Sequence, residues 1–271
     1  MSAIGQKRPL VVAIQFELRH DILVSTASIS MNDIFNPLGQ PIGFPVPHWQ
    51  GATRPTPKVL QGQFCRLEPL DPSAHVEDLW EAFSLDREGR NWTYLPYGPF
   101  DSFKAFATWM QTNCLGSDPL FFAIMSRKSG KAVGIASYLR ITPEHGSIEV
   151  GHLNFSKIMQ RTPMATEAMW LMMKEAFALG FRRYEWKCHA LNQPSRCAAQ
   201  RLGLSFEGVF RQANIVKGHN RDTAWYAAID TEWPSLNEVM MRWLAPDNFD
   251  VQGQQRIPLS SLTQPILASV G

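Results

Sequence analysis

The sequence has few cysteines, little excess charge and no long apolar run. Its four cysteines (Cys65, Cys114, Cys188 and Cys197) show neither CxxC spacing nor a pairing with histidines that would frame a zinc site. They read as reduced thiols of an intracellular, cytoplasmic protein, and no metal is expected. A formal net charge of +2, with no Lys/Arg cluster, leaves no electrostatic footprint for nucleic acid. No apolar stretch approaches the roughly 20 residues that a membrane-spanning helix needs, so no membrane partner is expected. Also missing are a Walker A loop, GxGxxG, GxSxG and HExxH. No internal repeat is visible.

With 45% hydrophobic residues over 271 positions, the chain can bury a sizeable core. Residues 1–30 read as an extension. Lys7, Arg8 and Arg19 are basic there, but Glu17 and Asp21 argue against a transit peptide. From residue 32 to 57 prolines are dense (Pro37, Pro41, Pro45, Pro47, Pro55, Pro57), which rules out a helix or a central strand. That stretch is expected to be an extended arm, with Phe44, Val46 and Trp49 as anchors. A folded domain is expected over 58–244 and a loose tail over 245–271.

Within the domain, residues 58–70 alternate as a first strand, and 74–85 carry Val76, Leu79, Trp80 and Phe83 at helical spacing. An aromatic loop, WTYLPYGPF, precedes a second helix capped by Asp101 or Ser102, with Phe103, Phe106, Ala107 and Met110 on its face. Strands follow at 120–126, 132–141 and 147–155, the first two joined by a Ser-Gly hairpin. Next come a long helix from residue 164, a strand at 184–190 and a short helix at 194–201. Strands at 206–216 and 223–230 then flank the turn at 217–222, and a last helix covers 232–244. Hairpin-linked strands with interspersed helices predict an α+β fold on a mixed sheet.

Two stretches carry chemistry. In residues 160–168, QRTPMATEA, Thr162 suits an N-cap and Pro163 the first helical position. The free N–H groups of Met164 and Ala165, the helix dipole and Arg161 together suit a phosphate or pyrophosphate, although most such helix starts meet only water. The strand ahead of it holds Gly151, a sign of a bulge or a close approach. Its alternation places Glu149, Gly151 and Leu153 on one side and Ile148, Val150 and His152 on the other. The second stretch is NQPSRCAAQRLGL, residues 192–204.

In this order and spacing the two stretches resemble the GCN5-related N-acetyltransferases (GNAT), and within them the ribosomal-protein (RimJ/RimL-like) branch. Phe206-Glu207-Gly208, Arg211-Gln212-Ala213, the aromatic loop and the KGHNRDTAWY hairpin add to the likeness, which covers roughly residues 60–235. The resemblance implies a GNAT fold with a mostly antiparallel sheet, splayed middle strands and flanking helices. It also implies acetyl-CoA as co-substrate, with pantetheine on the backbone around Val150, Gly151 and His152. The pyrophosphate is expected on Gln160, Arg161, Thr162, Met164, Ala165 and Thr166, and Asn192, Ser195 and Arg196 beside the cofactor. Pro163 stands where the family has glycine and removes one phosphate donor.

Transfer to an amine needs a base for the ammonium and an acid for the departing thiolate. Many relatives place a tyrosine at the position of Ala199, so Ser195 is the candidate acid. Glu149, Glu207 and His152 are the candidate bases; Asn214, after the RQA run, is not acidic. Trp92, Tyr94 and Tyr97 are expected to wall the acceptor's entry, with Trp92 equally suited to covering the core, and Trp186, Trp225 and Trp233 to pack. The expected activity is direct acetyl transfer to a small-molecule or peptide amine by a monomer or homodimer. A non-catalytic acyl-CoA sensor or a structural protein on the same fold are the alternatives.

Overall fold

The computed structural model describes residues 34–271; the expectation for residues 1–30 lies outside them. The described chain divides into two units, one ending at Trp49 and the other spanning Gln50–Gly271. In the first, β1 (Ile34–Phe35) and β2 (Pro41–Ile42) make a small antiparallel ribbon. The Asn36 side chain closes its turn by accepting the N–H groups of Leu38 and Gln40. The second unit begins with extended chain tied to its own surface. There Ala52 N–H donates to Pro143 O (2.9 Å) and Thr53 N–H to Leu179 O (2.8 Å).

The eight-stranded sheet is built from β3 (Leu60–Gln61), β4 (Cys65–Pro69), β5 (Leu120–Ser126), β6 (Ala132–Thr142), β7 (Ser147–Phe155), β8 (Arg183–His189), β9 (Ser205–Val216) and β10 (His219–Ile229). Their order in space is β3-β4-β5-β6-β7-β8-β10-β9. Every neighbouring pair is antiparallel except β7 with β8. Helices α1 (Pro72–Ser84), α2 (Phe103–Asn113), α3 (Pro163–Ala178), α4 (Gln193–Arg201), α5 (Trp233–Leu244) and α6 (Leu259–Thr263) complete the fold. Ser102, not Asp101, caps α2 by accepting Ala105 N–H. Among the described residues no helix is long and apolar enough to cross a membrane.

At β5 both faces of the sheet are buried, which suits that strand's near-continuous apolar run. Phe121, Ala123 and Met125 join α1 and α2 in one cluster around Leu79, Phe83, Phe106 and Met110. Phe122 and Ile124 face the other way, into the larger core with Met169, Met172 and Met173 of α3.

Two segments differ from the sequence expectation. The residues after Pro246 are packed rather than loose. Leu259 and Thr263 are fully buried, Ala268 N–H donates to Ser205 Oγ, and Phe206 N–H donates to Ser269 O. The first strand is cut in two because Glu167, in the first turns of α3, accepts the backbone N–H groups of Gln63, Phe64 and Cys65 (2.7, 2.7 and 2.8 Å). A Cβ at Gly62 would lie 2.5 Å from the Glu167 carboxyl carbon, so this turn admits only glycine.

The hairpin predicted at 217–222 turns on Lys217-Gly218 alone, both at positive φ (50° and 77°), so β10 starts at His219. The polar run His219-Asn220-Arg221-Asp222 hides this part of the strand from a periodicity test.

Glu167→Ala would strand three backbone donors, two of them part-buried and one buried. Stability is expected to fall by about 3 kcal/mol, since each unmet buried donor costs about 1–3 kcal/mol. Urea unfolding measures this, with Glu167→Gln falling less. A loss under about 1 kcal/mol for the alanine variant would show that the brace is dispensable.

Candidate active site

The site forms where the parallel pair comes apart. β7 and β8 are in register from Ser147 opposite Arg183 to Val150 opposite Trp186, and no further. Beyond Val150, the β8-facing backbone of β7 has no strand partner among the described residues. The pairing of β7 with β6 slips between Ile135 and Ser137, which gives β7 one extra residue, and His152 sits there at φ 52°. A Cβ on Gly151 beside it would meet Leu139 Cδ2 at 2.9 Å, so a side chain there would displace that leucine. The bulge overrides the expected alternation, so Glu149 and His152 line the same pocket instead of opposite faces. Val150 lines it too, though its side chain belongs to the core.

Glu149 is 3% exposed and holds two cations, Arg140 Nη1 at 2.8 Å and Lys187 Nζ at 2.9 Å. Burial raises its carboxyl above the ordinary range, and Lys187 and Arg140 oppose the rise without cancelling it. Lys187 also meets Glu185 at 2.7 Å and lies 3.8 Å from the centre of the Trp225 ring. The chain of charges continues through Arg183, which binds Glu185 and grips both oxygens of Glu207. Glu207 therefore stands beside the first residue of β8, away from the parted ends, and does not line the pocket.

His152 sits in an aromatic box. Its ring is 5.1 Å from Phe121 and 5.6 Å, stacked, from Tyr97, whose hydroxyl is 3.1 Å from Nδ1. Burial lowers its pKa to about 4, with Arg140 and Arg221 adding to the shift, so the ring is neutral at pH 7. Tyr97 thus supports the histidine. Tyr94 lines the pocket and packs edge-on against His189 at 5.1 Å. Trp92 is core, 5% exposed among Phe83, Phe100 and Phe106.

The start of α4 closes the opposite wall. Asn192 caps the helix by accepting Ser195 N–H at 3.3 Å, the local bond expected of it, and both residues line the pocket. Ser195 Oγ accepts Trp186 Nε1–H at 3.0 Å. Trp186, expected only to pack, therefore both packs and orients the serine. Arg196 turns inward to Tyr226 Oη (3.0 Å) and Ala190 O (3.1 Å) and does not line the pocket.

None of the α3-start residues lines it either. Thr162 occupies the N-cap, but its hydroxyl donates back to Met159 O and caps no helix N–H. Arg161 is exposed at φ 60°. The Gln160 amide is bound to Asn91 Oδ1 and Phe155 O. Ala165 N–H donates to Thr162 O, and Thr166 is buried with its hydroxyl taken by Arg201, so neither is free in the way the sequence implied. Met164 keeps its place in an uncapped first turn.

Among the pocket residues that sequence reasoning missed are Arg140, Lys187, His189 and Arg221. They sit on three strands, and only the register brings them together.

Comparison with known proteins settles what this geometry belongs to. Residues 65–205 match the acetyltransferase (GNAT) domain. A GCN5-related N-acetyltransferase structure from Brucella melitensis is 42% identical, with a TM-score of 0.78, covering 80% of this chain and 99% of that one. The chain belongs to the GNAT acetyltransferase family. A GNAT-family structure from Chromobacterium violaceum ATCC 12472 is 39% identical over 72% of this chain and 98% of its own, with a TM-score of 0.67. RimL, a ribosomal L7/L12 alpha-N-protein acetyltransferase, is 22% identical over 64% of this chain and 94% of its own, with a TM-score of 0.55, and shares the fold. No curated protein matches this GNAT chain.

Because the unfolded chain binds the His152 proton near pH 6.5 and the folded chain near 4, stability is expected to fall as pH drops through that window and to level off below it. The loss is up to about 3 kcal/mol at ~1.4 kcal/mol per pH unit. His152→Gln should flatten this part of the curve, as followed by urea unfolding at pH 7, 5.5 and 4. Equal pH slopes for the two proteins would mean that His152 titrates normally.

Proposed function

We propose that this GNAT protein transfers acetyl from acetyl-CoA to a primary amine, within the ribosomal-protein N-acetyltransferase-like branch of the family. The observation that carries the proposal is the pocket at the parting of β7 and β8, where Glu149, His152 and Ser195 converge. The residues present suit the co-substrate. Unpaired β7 backbone past Val150 fits an amide-bearing arm, and the uncapped start of α3, with Arg161 exposed beside it, fits a pyrophosphate. Pro163 contributes no N–H there. Acetyl-CoA, when bound, supplies an activated acyl group on sulfur.

The protein's own groups do the rest. Glu149 accepts the proton of the attacking ammonium through water. Its burial lifts it toward neutral pH, while Arg140 and Lys187 fix its position. His152, neutral and pinned at Nδ1, offers Nε2 to orient the amine. Ser195, held by Trp186, gives a proton to the departing sulfur. Ala199 is fully buried in the core, so no acid is presented from that position.

A thermal-shift titration with acetyl-CoA is expected to raise Tm, and an amine panel to release CoA above the hydrolytic background. Stabilisation without release would point to a sensor, and no stabilisation would remove acyl-CoA binding altogether. Glu149→Gln and Ser195→Ala are each expected to lower kcat about 10²-fold, the lower end for acid–base catalysis. The KM for acetyl-CoA should change little. Glu149→Gln should also remove the acidic limb of the kcat/KM profile, and retention of that limb would reassign the base.

A further inference from the structure

Arg221, on β10, lines the pocket with no partner. Its Nε is fully buried and unbonded, and no ion pair or hydrogen bond of its side chain occurs among the described residues. Every cation in the adjoining charge chain is taken: Arg140 by Glu149, Lys187 by Glu149 and Glu185, and Arg183 by Glu185 and Glu207. Asp222, next in sequence, is committed to Gln212 N–H at 2.7 Å and Asn220 Nδ2 at 3.0 Å. The carboxylate of Glu149, the pocket's own acid, already serves two cations.

A half-buried guanidinium left in this state is a cost to the folded protein unless an anion arrives to meet it. Arginine's planar fork matches carboxylate and phosphate oxygens in particular. The start of α3, which suits the pyrophosphate of acetyl-CoA, contributes no residue to this pocket. The anion at Arg221 therefore comes from the acceptor.

We infer that the acceptor is an amine bearing an anionic group, a carboxylate or a phosphate, which Arg221 seats while the amine meets Glu149 and His152. The inference rests on the acetyl-transfer reading and narrows its acceptor. Polycationic amines would face the unpaired Arg221 and are disfavoured.

The test is CoA release by the full chain with acetyl-CoA and matched amines. The pairs are β-alanine against its amide and O-phosphoethanolamine against ethanolamine, with spermidine as the polycation. The wild type is expected to favour the anionic member of at least one pair in kcat/KM by about tenfold or more, equivalent to about 1.4 kcal/mol. Which pair shows the preference separates carboxylate from phosphate. Arg221→Gln should collapse that ratio toward one through KM of the anionic amine, and Arg221→Lys should restore part of it.

Preference for neutral amines or spermidine would overturn the inference alone. So would an Arg221→Gln effect equal on both members of a pair, or one confined to the KM of acetyl-CoA. No release with any amine would overturn the transferase reading and the inference with it.

Discussion

A parallel strand pair that stops pairing halfway governs this molecule. Every other neighbouring pair in the sheet is antiparallel, whereas β7 and β8 are joined through α3 and share four registered positions. Past that point each strand turns toward its own helix, α3 or α4, and backbone that would be a liability inside a sheet becomes available to a ligand. The bulge at His152 belongs to the same event. It lets β7 leave β8 while staying bonded to β6, and it swings an imidazole onto the face that already holds a carboxylate. Fold and chemistry thus share one geometric cause.

Around this gap the electrostatics are arranged in rows. Arg140 on β6, Glu149 on β7, Lys187, Glu185 and Arg183 on β8 and Glu207 on β9 alternate in sign, so buried charges compensate each other. Such a row keeps a carboxylate buried without neutralising it. The row also separates two glutamates that look equivalent in sequence. Glu149 is within the pocket wall, while Glu207 is locked at the other end of β8 by a bidentate arginine.

Element types and most strand limits were legible because the signals are local. LFFAIMS and SIEVGHLNF were bounded by turn residues, and Ser102 and Pro163 marked helix starts. Asn192 and Ser195 from the second motif, Tyr94 from the aromatic loop and the strand glycine Gly151 all line the pocket. What sequence hid depends on register or on contacts far along the chain. Glu167 holds a turn about a hundred residues away, and Arg140 reaches Glu149 through strand pairing. Arg221 reaches the pocket because β10 lies beside β8. Alternation failed at His152 because a single inserted residue reverses the faces. Thr162 held the N-cap position predicted for it but spent its hydroxyl elsewhere, which no spacing rule reveals.

The last segment of the chain has a consequence for the sheet's outer border. β9 is an edge strand, and its inner half is where Ser205 and Phe206 are bonded to residues 268 and 269. That short run of main chain works as a cuff, occupying the hydrogen-bonding sites through which one sheet edge can recruit another. Among the described residues the outer half, from Val209 to Ile215, has no such cuff, and it carries Phe210 and Ile215 at 57% and 82% exposure. Fraying the cuff would lengthen the open border from one half of β9 to the whole strand, the kind of edge through which sheets aggregate.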